Sequence, residues 1–264
     1  MYKEVCIMNK IKAIPIFDLI KEPKHPGGYL AIDLSYGYKV NQELLKFLQY
    51  DVLPDYLRII DRAHSLEHIL DVCKNSLILA EDMGLNYDII LTAAVYHDIG
   101  LTADYRNLIL ADKNEHYYTS HEALKADEDV LLEVGLTKKQ IQLIEIAILE
   151  MGLDRKSSPY STLLSDADKL AELNPDYLIK KSSNHMVAMY TYKPVDQLIN
   201  GIYSYIHKRY SKDSYYRKYY TPIGKHIYSR KIRNIDYIVN DKDAFIRVFT
   251  KIIDEENKKN KARG

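Results

Sequence analysis

The stretch that decides the fold is Ile89-Ile90-Leu91-Thr92-Ala93-Ala94-Val95-Tyr96-His97-Asp98-Ile99-Gly100. Its first eight residues are apolar nearly all round, which is typical of a helix that is buried on every side. A run of this length falls well short of a membrane span. We therefore predict the most buried helix of a globular protein, with Gly100 as the residue that ends it.

Outward from this stretch, apolar residues recur three and four positions apart from about residue 56 to residue 190, with little Pro or Gly inside the periodic segments. This pattern predicts an all-α fold, in the form of a helical bundle. Five other helices are expected. One begins near Asp61, one covers about 118–134, and one starts at Thr137 with a capping box to Gln140. The last two run through Leu163 to Ala171 and over 176–190.

The two ends of the chain differ from this middle part. Residues 1–50 hold several Pro and Gly residues and a run at 29–34 that could be a short strand or an extended arm. After Pro194 a helix leads into 201–235, where Tyr and basic residues are dense, and a last amphipathic helix around Asp241 to Asp254 precedes a tail expected to fray. We predict an irregular N-terminal extension (1–50), a main helical domain (51–190) and a C-terminal region with extra helices (191–264).

Composition is that of an ordinary globular protein, with 47% hydrophobic and 28% charged residues among 264. Lys plus Arg and Asp plus Glu both number 37, so net charge gives no overall reason to expect a nucleic-acid or membrane partner. The two cysteines, Cys6 and Cys73, do not support a disulfide framework and favour a reducing compartment. Charged residues near the N-terminus leave no apolar core for a signal peptide, so a cytoplasmic location is expected.

Ligand-type side chains stand at positions where the helical pattern requires burial. His68 shares a flank with Val72 and Leu79, Asp98 ends an aliphatic helix, and Asp168 lies in another apolar segment. A buried carboxylate is costly unless it is paired or bound to a cation. A lone His-Asp pair is more often a hydrogen-bonded pair, but three helices that each bring such a group inward favour a metal ion.

These residues also resemble a known family. His68 with Val72, then His97-Asp98-Ile99-Gly100, then Asp166-Ala167-Asp168-Lys169-Leu170 are similar, in the right order over about 60–175, to the successive signatures of the HD superfamily of metal-dependent phosphohydrolases. The resemblance implies an HD-type helical bundle and one divalent metal ion (Mn, Fe, Co, Zn, Ni or Mg) on His68, His97, Asp98 and Asp168. Asp166 is the rival of Asp168, but the Asp-Lys/Arg-Leu triplet of the family matches Asp168. Asp166 would then lie near the start of its helix and favour the helix dipole.

Other residues could assist this site. His64 lies one turn before His68 and could contact substrate or face solvent. His121 resembles the extra His by which some HD proteins hold a second metal or a phosphate oxygen. Met151 stands where two-metal relatives usually carry another His, and because a thioether is a poor ligand for a hard cation this favours a single metal. Lys169 could stabilise a phosphate or pair with acidic neighbours on its own helix.

The resemblance implies a phosphohydrolase that cleaves a phosphate ester of a nucleotide or similar small molecule by metal-activated water. Asp98 would orient or deprotonate that water, while His64, His121 or Lys169 would stabilise charge on the phosphate. Alarmone hydrolysis is disfavoured because Leu101-Thr102-Ala103-Asp104-Tyr105 lacks the expected acidic pair. The alternative function is a non-catalytic HD module that binds nucleotide or RNA through the basic, Tyr-rich region. The segment Thr221-Pro222-Ile223-Gly224-Lys225 is loosely similar to the C-terminal region of small bacterial HD hydrolases.

Overall fold

The computed structural model describes residues 38–58, 64–101, 115–175, 177–179, 195–210 and 219–261. These residues lie in helices or short connections with no strand among them, so the predicted all-α fold is confirmed. The run at 29–34 and most of the helix expected over 176–190 lie outside the described residues. None of the helices in the described ranges combines the length and the apolar run that a membrane crossing requires.

The described residues form two compact units, one within 38–171 together with 219–227, and one within 172–210 together with 228–261. The predicted boundaries at residues 50 and 190 stay a prediction. The first unit begins with α1 (Gln42–Phe47), which continues as a π-helical turn (Leu48–Val52) and a 3-10 segment (Leu53–Arg58). Its other helices are α2 (Leu66–Met83), α3 (Tyr87–Tyr96), α4 (Glu115–Ala126), α5 (Glu128–Glu133), α6 (Lys138–Leu149), α7 (Pro159–Ala171) and the first turns of α9 (Pro222–Lys231).

Helix α3 is the centre of the first unit, as the sequence predicts. Its residues from Ile89 to Tyr96 are all buried, and α2 and α7 pack against it. Two phenols tie it to its neighbours, because Tyr56 donates to the Val95 carbonyl at 2.6 Å and Tyr96 donates to Asp127 Oδ2 at 2.5 Å.

The expectation that Gly100 ends α3 is wrong. The helix ends at Tyr96, and Gly100 lies in a following 3-10 turn, Ile99–Leu101. A Cβ added at Gly100 would lie 2.6 Å from the carbonyl oxygen of His116, so the glycine permits close approach to α4. Its N–H donates to Ser120 Oγ at 2.9 Å. Gly100 therefore positions α4 beside the end of α3.

The single helix expected over 118–134 is also wrong, because α4 ends at Ala126 and α5 begins at Glu128. The break is at Asp127, whose backbone has φ −94° and ψ 6° and whose side chain accepts the Tyr96 hydroxyl. A tertiary hydrogen bond here competes with helix continuation. The capping box at the start of α6 is confirmed, with Thr137 Oγ1 accepting from Gln140 N at 3.3 Å and Gln140 Oε1 accepting from Thr137 N at 2.8 Å.

The second unit is built from α8 (Val195–Tyr210), α10 (Arg233–Asn240) and α11 (Lys242–Lys261). The rings of Tyr203 and Phe245 have centroids 5.5 Å apart, and Glu172 is buried where it accepts the Tyr210 hydroxyl at 2.8 Å. Helix α11 extends past the expected end at Asp254. Several tyrosines of the basic region are core residues that cannot stack on bases, namely Tyr210, Tyr219 and Tyr228.

Candidate metal centre

Three helices of the first unit bring ligand-type side chains to one place. His68 lies in the first turn of α2, His97 and Asp98 directly follow α3, and Asp168 lies near the end of α7. Helix α2 packs on both α3 and α7, and Asn75 Nδ2 of α2 donates to the Ala167 carbonyl of α7 at 3.2 Å. These contacts fix the three ligand-bearing segments relative to one another.

The His97 ring is held in one orientation by the end of α3. Its Nδ1 lies 2.8 Å from the Ala94 carbonyl oxygen, which can only accept a hydrogen bond, so Nδ1 carries the proton. Its Nε2 lies 3.1 Å from Asp98 Oδ2 and is buried. A histidine whose Nδ1 donates to a carbonyl presents the Nε2 lone pair to a metal, which is the usual arrangement of ligating histidines.

Asp98 lies at the centre of the cluster and is only 3% exposed. Its Oδ2 lies 3.9 Å from Nε2 of His68 and 3.9 Å from Nε2 of His64, while its Oδ1 lies 3.4 Å from Nε2 of His116. One buried carboxylate thus faces four imidazoles when His97 is included. The donor atoms of His68, His97 and Asp98 all lie within 4.8 Å of one another, which a single ion could bridge.

Asp168 completes the set from the opposite side. Its Oδ1 lies 3.1 Å from His68 Nε2, and its side chain is 23% exposed, whereas His68 is buried. The cluster is therefore dry on the α3 side and reaches water on the α7 side. Asp166, the rival for this position, does not point to the histidines: it lies in the middle of α7 and accepts hydrogen bonds from Tyr220 and Thr221. The expectation that Asp166 favours the dipole at a helix start is wrong, because α7 begins at Pro159.

Residues 65–173 match the family model described as the HD domain. This range is similar to HD domains. All four predicted ligands, His68, His97, Asp98 and Asp168, fall inside this range, and HD domains belong to a family of metal-dependent hydrolases. The matched range covers α2 to α7 and the turn after α7.

One curated relative of this chain comes from Clostridium beijerinckii and is described as an uncharacterized protein. It is 34% identical over 112 residues, which are 42% of this chain and 66% of that protein. The chain therefore spans slightly less than two thirds of the relative's length. No solved structure matches the chain significantly.

The electrostatics of this cluster favour a positive charge beside Asp98. Burial alone would raise the pKa of Asp98, but His97 first, and then His64 and His116, hold that pKa well below its ordinary value. For His97 burial opposes protonation, yet Asp98 outweighs it and the pKa of the imidazole rises to about 9. A positive charge, whether a proton on His97 or a divalent cation, would thus be stabilised beside the buried Asp98 carboxylate.

His116 is a site residue that sequence reasoning missed. It lies one turn before Ser120 and two turns before Leu124, both fully buried, so the three share a face of α4. Ser120 accepts from Gly100, which brings this face to the end of α3 and His116 to Asp98. The four-residue spacing of His116, Ser120 and Leu124 was the signal available in the sequence.

The structure places the other predicted assisting residues in different surroundings. His64 lies beside Asp98 with its side chain 22% exposed, which places it at the edge of the cluster. His121 lies on another face of α4, where its recorded partners are Glu122 at 3.4 Å and Glu145 at 3.8 Å. Lys169 donates to Ser165 Oγ at 3.1 Å, and its charge also acts on Asp166 of the same helix. The geometry thus groups His64 with the ligands and separates His121 from them.

Proposed function

We propose that this protein is a metal-dependent phosphohydrolase that cleaves a phosphate ester of a nucleotide or a similarly phosphorylated small molecule. The observation that carries the proposal is the convergence of His68, His97 and Asp98 within 4.8 Å, with Asp168 3.1 Å from His68. The match to the HD domain supports the general part of this proposal, namely that the protein is a metal-dependent hydrolase. The phosphate ester is inferred from the resemblance to HD phosphohydrolases and from a partly open cluster.

The donor set fits a divalent cation. Two imidazoles and two carboxylates are the ligands that Mn, Fe, Co, Zn and Ni share, and they come from helices that packing holds rigid. The Met151 thioether at the position where two-metal relatives carry a His supports a single ion. When bound, such an ion supplies the Lewis acidity that makes water more acidic and polarises a phosphoryl oxygen.

Individual residues of the chain would activate the water and bind the phosphate. Asp98 is a ligand and a buried acceptor that orients the attacking water and can take its proton. His64 and His116 each face one oxygen of Asp98, and as partly exposed imidazoles they can donate hydrogen bonds to phosphate oxygens. Lys169, next to Asp168, adds a positive charge on the same turn of α7. The contacts of His121 support a surface role, so His116 takes the part that the sequence suggested for it.

Removing the metal tests this proposal. We expect protein stripped with a strong chelator and then dialysed to lose phosphate release from a panel of nucleotides by roughly a thousandfold or more, because a metal ion provides several kcal/mol of transition-state stabilisation. Adding back Mn²⁺, Co²⁺, Fe²⁺, Ni²⁺, Zn²⁺ or Mg²⁺ singly should restore activity with at least one of them. The measurement is colorimetric detection of inorganic phosphate over time.

Two outcomes of that experiment would count against a phosphohydrolase. Equal rates before and after chelation would remove the metal from the mechanism. No phosphate release from any ester with any of the six ions, together with nucleotide or RNA binding, would favour the non-catalytic HD module instead.

A further inference from the structure

The segment after residue 218 is fastened to α7 by a buried carboxylate that the hydrolytic mechanism does not use. Asp166 is fully buried and accepts from Tyr220 N at 2.9 Å, Thr221 N at 2.8 Å and Thr221 Oγ1 at 2.7 Å. Gly224 packs against the same carboxylate, where a Cβ would collide with Oδ2, and its N–H donates to Thr221 Oγ1 at 2.9 Å. Charge-assisted hydrogen bonds of this kind hold a backbone firmly.

The hydrogen bonds to Asp166 hold the backbone of Tyr220, whose aromatic ring is partly exposed. Tyr220 is 40% exposed, although its neighbours Tyr219 and Thr221 are buried. Its hydroxyl donates to the Asp154 carbonyl at 3.2 Å, so the residue is held at its backbone by Asp166 and at its ring tip by the loop before α7. Tyr220 is therefore an anchored aromatic side chain that presents part of its ring to solvent.

The ring lies near a residue that adjoins the candidate ligand Asp168 in the chain. Its centroid lies 4.5 Å from Nζ of Lys169, the residue after Asp168. The Lys156 ammonium lies 5.9 Å from the same centroid and donates to the Met151 and Leu153 carbonyls at 2.9 and 2.7 Å. Two ammonium groups thus flank this exposed ring, and one of them belongs to the residue that follows Asp168.

We propose that Tyr220 is a specificity-determining residue, which packs against the aromatic group of a phosphate ester, a nucleobase or an aryl ring, while the phosphate lies at the metal centre. This inference rests on the proposed function and narrows its substrate class to esters that carry an aromatic ring. Asp166 is the positioning residue that holds Tyr220 in place. The Lys169 ammonium attracts the negatively charged phosphate group of such a substrate.

The crowding of the two lysines agrees with an anionic ligand at this place. Burial first, and then the nearby Lys169 ammonium, lower the pKa of Lys156 to about 8, although Glu150 and Asp154 oppose the shift. Two ammonium groups beside one ring repel each other, and a phosphate or ribose-phosphate oxygen near them would relieve that repulsion. An uncharged aromatic ligand would not.

The test compares Tyr220→Ala and Tyr220→Phe with the native protein. Affinities of the metal-loaded proteins for adenosine 5′-monophosphate and for glycerol 3-phosphate are measured by calorimetric titration. We expect Tyr220→Ala to weaken binding of the nucleotide by about 5- to 100-fold, because stacking of a base on an aromatic side chain contributes about 1–3 kcal/mol. Glycerol 3-phosphate has no ring, so its affinity should change by less than about twofold.

Tyr220→Phe is the matched control, because it keeps the ring and removes only the hydroxyl that contacts Asp154. It should bind the nucleotide about as tightly as the native protein. An unchanged nucleotide affinity in Tyr220→Ala, an equal loss for both ligands, or no binding of the nucleotide to the native protein would overturn the inference. Thermal unfolding of each variant identifies a loss that comes from misfolding.

Failure of this inference and failure of the proposed function are distinguishable. A native protein that hydrolyses neither ester but loses nucleotide affinity in Tyr220→Ala would contradict the phosphohydrolase and support the aromatic subsite. A native protein that hydrolyses both esters, with the same KM values in Tyr220→Ala, would support the phosphohydrolase and contradict the subsite.

Discussion

Replacing Asp98 by Asn is expected to lower the rate of phosphate ester hydrolysis by roughly a thousandfold or more. Asp98 is the one described residue that faces His64, His68, His97 and His116 together, at 3.1–3.9 Å. Asn keeps the size of the side chain but removes its negative charge. The cluster would then hold a cation through imidazoles and one remote carboxylate, and the attacking water would lose its proton acceptor.

The measurement is steady-state phosphate release by purified Asp98→Asn with saturating metal. Asp82→Asn is the matched control, since Asp82 is exposed at the far end of α2 and should leave the rate within about twofold of native. Thermal unfolding would show that both variants are folded. Activity of Asp98→Asn close to that of Asp82→Asn would contradict the role assigned to Asp98.

Asp168 and Asp166 lie in one turn of α7, and replacing each by Asn should change a different property. The change at Asp168 should lower metal affinity, and the change at Asp166 should lower the free energy of unfolding. Asp168→Asn should weaken metal binding by at least about 100-fold, because a ligand is lost, with little change in the free energy of unfolding of the metal-free protein. Asp166→Asn should keep metal affinity within a fewfold of native but lower the free energy of unfolding by about 1–3 kcal/mol. Its buried carboxylate accepts three hydrogen bonds that an amide cannot all accept.

This pair is measured by metal titration with a competing chelator and by denaturant unfolding of the metal-free proteins. The two variants differ by two positions in the same helix and carry the same chemical change, so each is the control of the other. Loss of metal binding in Asp166→Asn with normal binding in Asp168→Asn would reverse the assignment of the ligand. Equal effects on both quantities would contradict the separation of roles.

Local pattern was enough to predict the centre of the fold. The all-apolar run before His97 predicts the buried helix α3, and the Thr137 and Gln140 pair predicts the start of α6, because both depend on residues close in sequence. The end of α3 and the break at Asp127 were not predicted, since they depend on contacts of Gly100 and Tyr96 with a later helix. Tertiary contacts override local preference at such positions.

In the candidate site too, some residues are predictable from the sequence and others depend on tertiary packing. His68, Asp98 and Asp168 each combine a ligand-type side chain with an apolar helical segment, and the resemblance to the HD superfamily added His97. The structure brings His68 close to His97, Asp98 and Asp168. The placement of His116 needs the packing of Ser120 against Gly100, which local pattern does not reveal. The partner of Asp166 lies more than fifty residues away along the chain, beyond the reach of any local signal.

Metal analysis of the protein, purified without added metal or chelator, tests the central claim most directly. We predict about one divalent transition metal ion per chain by inductively coupled plasma mass spectrometry, and a small fraction of that in His68→Ala. Protein that contains no such ion and takes up neither Mn²⁺ nor Zn²⁺ in equilibrium dialysis, or equal metal content in native protein and His68→Ala, would contradict a metal centre at these residues.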